Sequence, residues 1–174
     1  MNEVDNSTVI STKEQILKII KNRKIDAIFT YKVFRLIENK NALRSVMSRF
    51  EKDGTIVKLE DGVFYRPKQI CFIKPSVKEW SIDKTLFVHD HFWSVGDKRK
   101  VSIDQLIEAY VLHPNSDDIY TIYKLFGYKR VRVILEKVYK KHTFNDDGVI
   151  RKHPSYKLSL SMLRSIEKER FDDK

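Results

Sequence analysis

Cysteine is nearly absent from this chain: Cys71 is the one thiol in 174 residues. That excludes an internal disulfide and a zinc site built from several cysteines. Glycine, at five, and proline, at four, are scarce. No G-x-x-x-x-G-K-[ST] and no G-x-G-x-x-G occurs, so the loops that cradle nucleotide phosphates are missing. No window approaches the ~18 apolar residues that a membrane-spanning helix needs. Met1 to Val9 is acidic and polar, without the basic-then-apolar order of a secretory signal. Cys71 has no nameable histidine partner that would make it a nucleophile. These absences point to a cytoplasmic protein, not membrane-bound, with no cofactor, that binds rather than catalyses.

What remains is a basic, core-forming chain. Hydrophobic residues make up 41%, enough for a packed interior of one domain or two small ones. The 34 Lys/Arg against 24 Asp/Glu give a net charge of +10. The excess is concentrated: Thr12 to Lys74 holds 15 basic and 7 acidic residues, a local +8. Such a surface attracts phosphate backbones through counterion release.

The same stretch has a helical rhythm. Ser11-Thr12-Lys13-Glu14 has the form of a capping box, in which the Ser hydroxyl and the Glu carboxylate satisfy opposite amides. Ile16, Leu17, Ile19 and Ile20 supply the apolar stripe of a first helix ending near Asn22. Ile28 and Phe29 read as a short strand, with Thr30 capping a second helix from Tyr31 to about Ile37. Asn39-Lys40-Asn41 is a turn and cap. A third helix then runs from about Ala42 to Lys52 and stops at Gly54.

That third helix is amphipathic. Leu43, Val46, Met47 and Phe50 share one face by their i, i+3, i+4, i+7 spacing. The opposite face holds Asn41, Arg44, Ser45, Ser48 and Lys52, with Arg49 beside it and Lys40 at its start. Arg reads guanine, Asn reads adenine, and Ser serves a base or a phosphate. Negative charge is nearly absent from that face, whereas a solvated outer helix usually mixes Glu with Lys. Thr55 to Glu60 and Val63 to Arg66 read as strands joined by Asp61-Gly62, a two-residue hairpin turn in which both positions take positive φ. The hairpin tip, Glu60 and Asp61, is acidic; Lys58, Arg66 and Lys68 on its flanks are the candidates for phosphate contact. The expected fold is mainly α with a small β component. It comprises an N-terminal winged helix-turn-helix over residues 12–68, after a flexible N-terminus at 1–11, and a C-terminal α-helical domain.

The order "ILKIIKNRKIDAIFTYKVFRLIENKNALRSVMSRFEKDGTIVKLEDGVFYRPK" resembles the N-terminal winged helix of AbiEi-type antitoxins. The likeness lies in "IFTYKVF" before the second helix, "NALRSVMSRFEKDGTI" from helix to strand, and the closing "GVFYRPK". It covers about Thr12 to Lys68, a third of the chain. The resemblance implies a protein that binds double-stranded DNA at its own promoter and represses it. It also implies a C-terminal region that counters a nucleotidyltransferase-like toxin, as in type IV toxin–antitoxin pairs. Asn41, Arg44, Ser45, Ser48 and Arg49 match the recognition-helix positions. Longer members carry a large C-terminal α/β domain; here only about 100 residues follow.

Gln69 to Lys84 reads as a connector with some strand character, and 85–174 as a mainly helical domain. Thr85 to Val95, "TLFVHDHFWSV", is aromatic and β-prone. Ser102 caps a helix whose Leu106, Ile107, Tyr110 and Val111 face one way, and Pro114 breaks it. Asn115 or Ser116 caps the next, with Ile119, Ile122, Tyr123 and Phe126 inward, until Gly127. A helix from Lys129 to Lys141 buries Val131, Ile134, Leu135 and Val138. Its outer face, with Lys129, Arg130, Arg132, Lys137 and Lys140 against Glu136 alone, is a second candidate surface for nucleic acid or an acidic partner. Asp146-Asp147-Gly148 is a turn, and a last helix spans about Leu158 to Arg170. Phe87, Phe92, Trp93, Tyr110, Tyr123 and Phe126 are aromatic residues that call for a core.

Two other readings compete. One is a general winged-helix transcriptional regulator whose helical half senses a ligand or forms a homodimer. The other is a small metal-dependent hydrolase centred on His89 and His91, which at i and i+2 on a strand share a side and could ligate one ion. His113, His142 and His153 have no recognisable ligand spacing, so the expectation is no metal and two structural histidines.

Overall fold

Ser11 starts the first helix as its sequence foretells. Its hydroxyl accepts from the Glu14 amide at 3.3 Å and the Glu14 carboxylate accepts the Ser11 amide at 3.0 Å, closing a capping box on α1 (Thr12–Lys21). The structure is a computed structural model describing residues 10–68, 71–96, 99–141, 143–146 and 149–172. The flexible stretch expected over 1–11 thus lies, up to residue 9, outside the described residues. The chain is mainly helical and separates into two units, residues 10–51 with Ile56–Pro67, and Lys52–Thr55 with residues 68–172.

In the first unit α1 is followed by β1 (Ile28–Thr30), a 3-10 helix (Tyr31–Phe34), α2 (Lys40–Lys52), β2 (Val57–Glu60) and β3 (Val63–Tyr65). The strands form one antiparallel sheet in the order β1-β3-β2. Ile16 and Ile20 of α1, Phe34 and Ile37, and Leu43, Met47 and Phe50 of α2 close on Phe29 and Phe64 from the sheet. Those nine side chains are at most 5% exposed. At about 1.5–3 kcal/mol per fully buried large apolar side chain, this cluster is the main source of the unit's stability.

Two local expectations are corrected here. The second helix is one 3-10 turn, capped as expected by Thr30, whose hydroxyl accepts from the Lys32 amide. Its sequence, Tyr-Lys-Val-Phe, is poor in strong helix formers, and an i to i+3 turn suffices to bury both Phe34 and Ile37. At the hairpin only Gly62 takes positive φ, at 77°, while Asp61 does not. The register shifts between Lys58 and Glu60, and this bulge meets the strand twist in place of a turn with two positive φ values.

The second unit carries β4 (Glu79–Ser81), paired with β5 (Lys100–Ser102), then α3 (Ile103–Leu112), α4 (Ser116–Lys141), the hairpin β6 (Thr143–Asp146) and β7 (Val149–Lys152), and α5 (Ser155–Asp172). The β6–β7 hairpin is an addition to the sequence reading, which foresaw only its turn; residues 147–148 of that turn lie outside the described residues. The aromatic run from Thr85 to Val95 is not a strand. It is a short 3-10 helix (Lys84–Leu86) followed by turns, and Trp93 is 81% exposed rather than buried. Asp83 caps the 3-10 helix and the Asp90 carboxylate accepts the Phe92 amide, so two aspartates bend a segment whose composition favours extension. Ser102 precedes α3 without a side-chain capping bond.

Gly127 breaks α4 with φ 78° and ψ 155°. The break takes the usual helical partners from the carbonyls of Lys124 and Leu125. The amides of Phe72 and Ile73 replace them, at 3.2 and 2.9 Å. Residues 71–76 are thereby laid across the break. Ile107, Tyr110, Ile122, Leu135 and Leu163 form the interior between α3, α4 and α5. Two of its polar members are bonded within it: the Ser159 hydroxyl donates to the Val111 carbonyl at 2.6 Å, and Glu167 accepts from the Tyr123 hydroxyl and Arg170.

Candidate nucleic-acid interface

α2 is the element that presents the polar face. Asn39 caps it by accepting the Ala42 amide at 2.9 Å, which fixes where the first turn begins. Leu43, Val46, Met47 and Phe50 anchor it to the core, and the 100° step per residue turns Asn41, Arg44, Ser45, Ser48 and Arg49 outward, all exposed. Among the described residues, neither Arg44 nor Arg49 makes an ion pair or a side-chain hydrogen bond. Two guanidiniums, each with five donors, are therefore available to a ligand from one rigid helix.

The other candidates divide. Lys40 is exposed, and its ammonium is hydrogen-bonded to the Ile37 carbonyl at 2.7 Å. Lys58 is half-buried and paired with Asp61. That hydrogen bond and charge hold the Asp61 carboxyl below the usual carboxylate range. Arg66 donates to the Lys21 carbonyl at 3.0 Å and so closes the C-terminal end of α1. Lys58 and Arg66 therefore each have a partner within the first unit. Lys52 and Lys68, both exposed, group with the second unit.

Two residues that sequence reasoning passed over belong to this surface. Tyr31 is 37% exposed, packs edge-on to Phe64 at 5.3 Å, and lines a cleft of about 380 Å³ with Arg44, Ser48 and Gly62. Glu51 lines the same cleft. It stands seven residues after Arg44, on the same stripe, so the face is less free of acid than its basic residues imply. With Asp61 it makes the hairpin side of α2 mixed in charge. On α2 itself, Arg44 and Arg49 carry their charge without an ion pair among the described residues. The i+7 spacing and the acidic hairpin tip were legible; the approach of Asp61 to α2 was not.

The second basic surface is also altered. Lys129, Lys137 and Lys140 are exposed, but Arg132 is 2% exposed and paired with Glu136 at 2.8 Å. The Tyr156 hydroxyl donates to the same Glu136 oxygen at 2.7 Å. That bond, with burial as the larger cause, pushes the Tyr156 phenol up to about 12. Arg130 is tied to the Val77 carbonyl at 2.7 Å and to Asp104 at 3.3 Å.

The histidines gather more closely than their spacing indicates. His89, His91 and His113 line a cleft of about 400 Å³ with Asn115 and Ser155. The His89 Nδ1 lies 2.8 Å from the fully buried Asp118 carboxylate, whose other oxygen accepts the Val88 amide at 2.7 Å. Asp118 thus pins the 88–89 segment to the first turn of α4. The ring centroids of His91 and His113 are 5.5 Å apart, and burial, with His113 as second cause, lowers the His91 pKa. Among the described residues no group of three or more His, Cys, Asp or Glu is arranged to hold a metal ion. No helix among them is long and apolar enough to cross a membrane. Comparison with protein-family models, curated proteins and solved structures gave no match for this chain.

Proposed function

We propose that the first unit is a winged helix that binds double-stranded DNA, with α2 as the recognition helix and the β2–β3 hairpin as the wing. The observation that carries the reading is the pair Arg44 and Arg49, exposed and without protein partners among the described residues, on a helix rigidly anchored by four core side chains. Asn41, Ser45 and Ser48 lie between and beside them and supply the short polar contacts that base edges and phosphates accept. The paired, acidic wing tip repels phosphate, so the wing's contribution comes from its flank and from Tyr31, whose hydroxyl can donate to a phosphate oxygen.

On this reading the chain represses its own promoter as the antitoxin of a type IV toxin–antitoxin pair, with a nucleotidyltransferase-like toxin as its protein partner. The toxin assignment draws its support from the resemblance over Thr12 to Lys68. The decisive assay has two arms. Promoter DNA should bind the full chain and bind Arg44→Ala/Arg49→Ala markedly more weakly. Co-expression with an adjacent nucleotidyltransferase-like gene should restore growth. Loss of the first arm removes the DNA reading; failure of the second alone removes the antitoxin assignment and leaves a DNA-binding regulator.

A further inference from the structure

The break of α4 at Gly127 leaves a cleft of about 720 Å³ within the second unit. That lies inside the range of roughly 300–1,000 Å³ usual for small-molecule sites. Its apolar lining is Phe126, Val133 and Ile134, joined by Cys71, Pro75 and Ser76 from the segment laid across the break. Its rim is cationic: Lys78, Lys129, Arg130 and Lys137 stand against Asp104 alone, a net charge of +3 for the lining. Asp104 lies 3.3 Å from Arg130 and 4.0 Å from Lys137. With its bond to the Val77 carbonyl, Arg130 is held in place before any ligand arrives. Lys78 and Lys129 have no ion pair among the described residues.

We propose that this cleft binds a small aromatic anion. The cations on the rim hold the negative group and the apolar lining takes the ring, which is the division of labour of preformed ligand pockets. The charge of the rim selects against neutral and cationic molecules, and a volume of about 720 Å³ suits a small molecule. This site is separate from α2, so the inference stands or falls independently of DNA binding.

Trp80 supplies an internal reporter, because its ring packs edge-on to Phe126 at 6.0 Å. The experiment uses the full chain carrying Trp93→Phe, which removes the other tryptophan. It is titrated with 1-anilinonaphthalene-8-sulfonate, an aromatic anion, and with N-phenyl-1-naphthylamine, which has the same rings and no charge. The expected result is saturable energy transfer from Trp80 at one dye per chain, with the neutral dye at least about tenfold weaker. Lys129→Ala/Lys137→Ala should weaken the sulfonate by about tenfold or more at unchanged melting temperature and leave the neutral dye alone. Saturating sulfonate should also slow iodoacetamide alkylation of Cys71. Equal affinity for the two dyes, or no saturable transfer, overturns the proposal. Because the dye comparison needs no mutation in the cleft, it stands even where the double variant fails to fold.

Discussion

Arg66 and Arg44 show how little residue type alone decides. Both are basic residues of the same small unit, yet Arg66 donates to the last turn of α1 and Arg44 projects from α2 with no partner among the described residues. Replacing Arg44 with Ala should therefore leave the fold intact. It should cost about 1–3 kcal/mol of DNA binding and relax sequence preference at one position, seen by titrating promoter and single-base variants. Arg66→Ala should instead lower the melting temperature and spare the ratio of specific to nonspecific binding. His91 makes the acid-sensitive contribution. Burial and His113 lower its folded pKa below the ordinary 6.5, so the unfolded chain takes up the proton at the higher pH. Its stability contribution is complete above about 6.5 and declines as pH falls through that value toward the folded pKa. Melting curves of wild type and His91→Gln from about pH 8 to about pH 5 test this. The gap between the two proteins should change in the variant's favour as pH drops; parallel curves contradict it.

At the scale of elements, what could be read early was what short-range chemistry decides. The Ser11–Glu14 box and the Asn39 cap rest on contacts within a few residues, and the apolar stripe of α2 and the stop at Gly127 follow from helical spacing and residue type. The misreadings turned on particular side-chain partners, some near and some distant, that composition and helical phase do not reveal. Arg132 looks solvent-facing by helical phase, but Glu136 and, twenty residues beyond it, Tyr156 draw it inside. The 85–95 run has β-prone composition, yet Asp83, Asp90 and the remote Asp118 fold it into turns. Likewise, no pattern in the sequence brings His113 to His91, because the two meet only once α3 has formed between them. The candidate site follows the same rule: the α2 face was legible from periodicity, while Tyr31 and the internal pairing of Lys58 required the sheet. Gly127 offers an element-level test. At φ 78° and ψ 155° its backbone is in a region reserved almost wholly for glycine, so Gly127→Ala should destabilise the second unit by about 1–3 kcal/mol. A urea midpoint unchanged from wild type would show that α4 runs through unbroken.

For the whole molecule the governing quantity is where the charge sits. Of the net +10, the stretch from Thr12 to Lys74 carries +8, and the structure leaves Arg44 and Arg49 of α2 exposed without an ion pair among the described residues while pairing Lys58 and anchoring Arg66. On the proposed reading, DNA is bound first by displacing counterions and only then by reading bases. The most direct measurement is the salt dependence of binding to the chain's own promoter DNA, by fluorescence anisotropy from low to moderate salt. With about 4–6 phosphates neutralised, the log–log slope should lie near −4 to −5, and Arg44→Ala/Arg49→Ala should flatten it by about one to two. A slope near zero, no binding at low salt, or a double variant with the wild-type slope would contradict the assignment of α2 as the DNA-reading element.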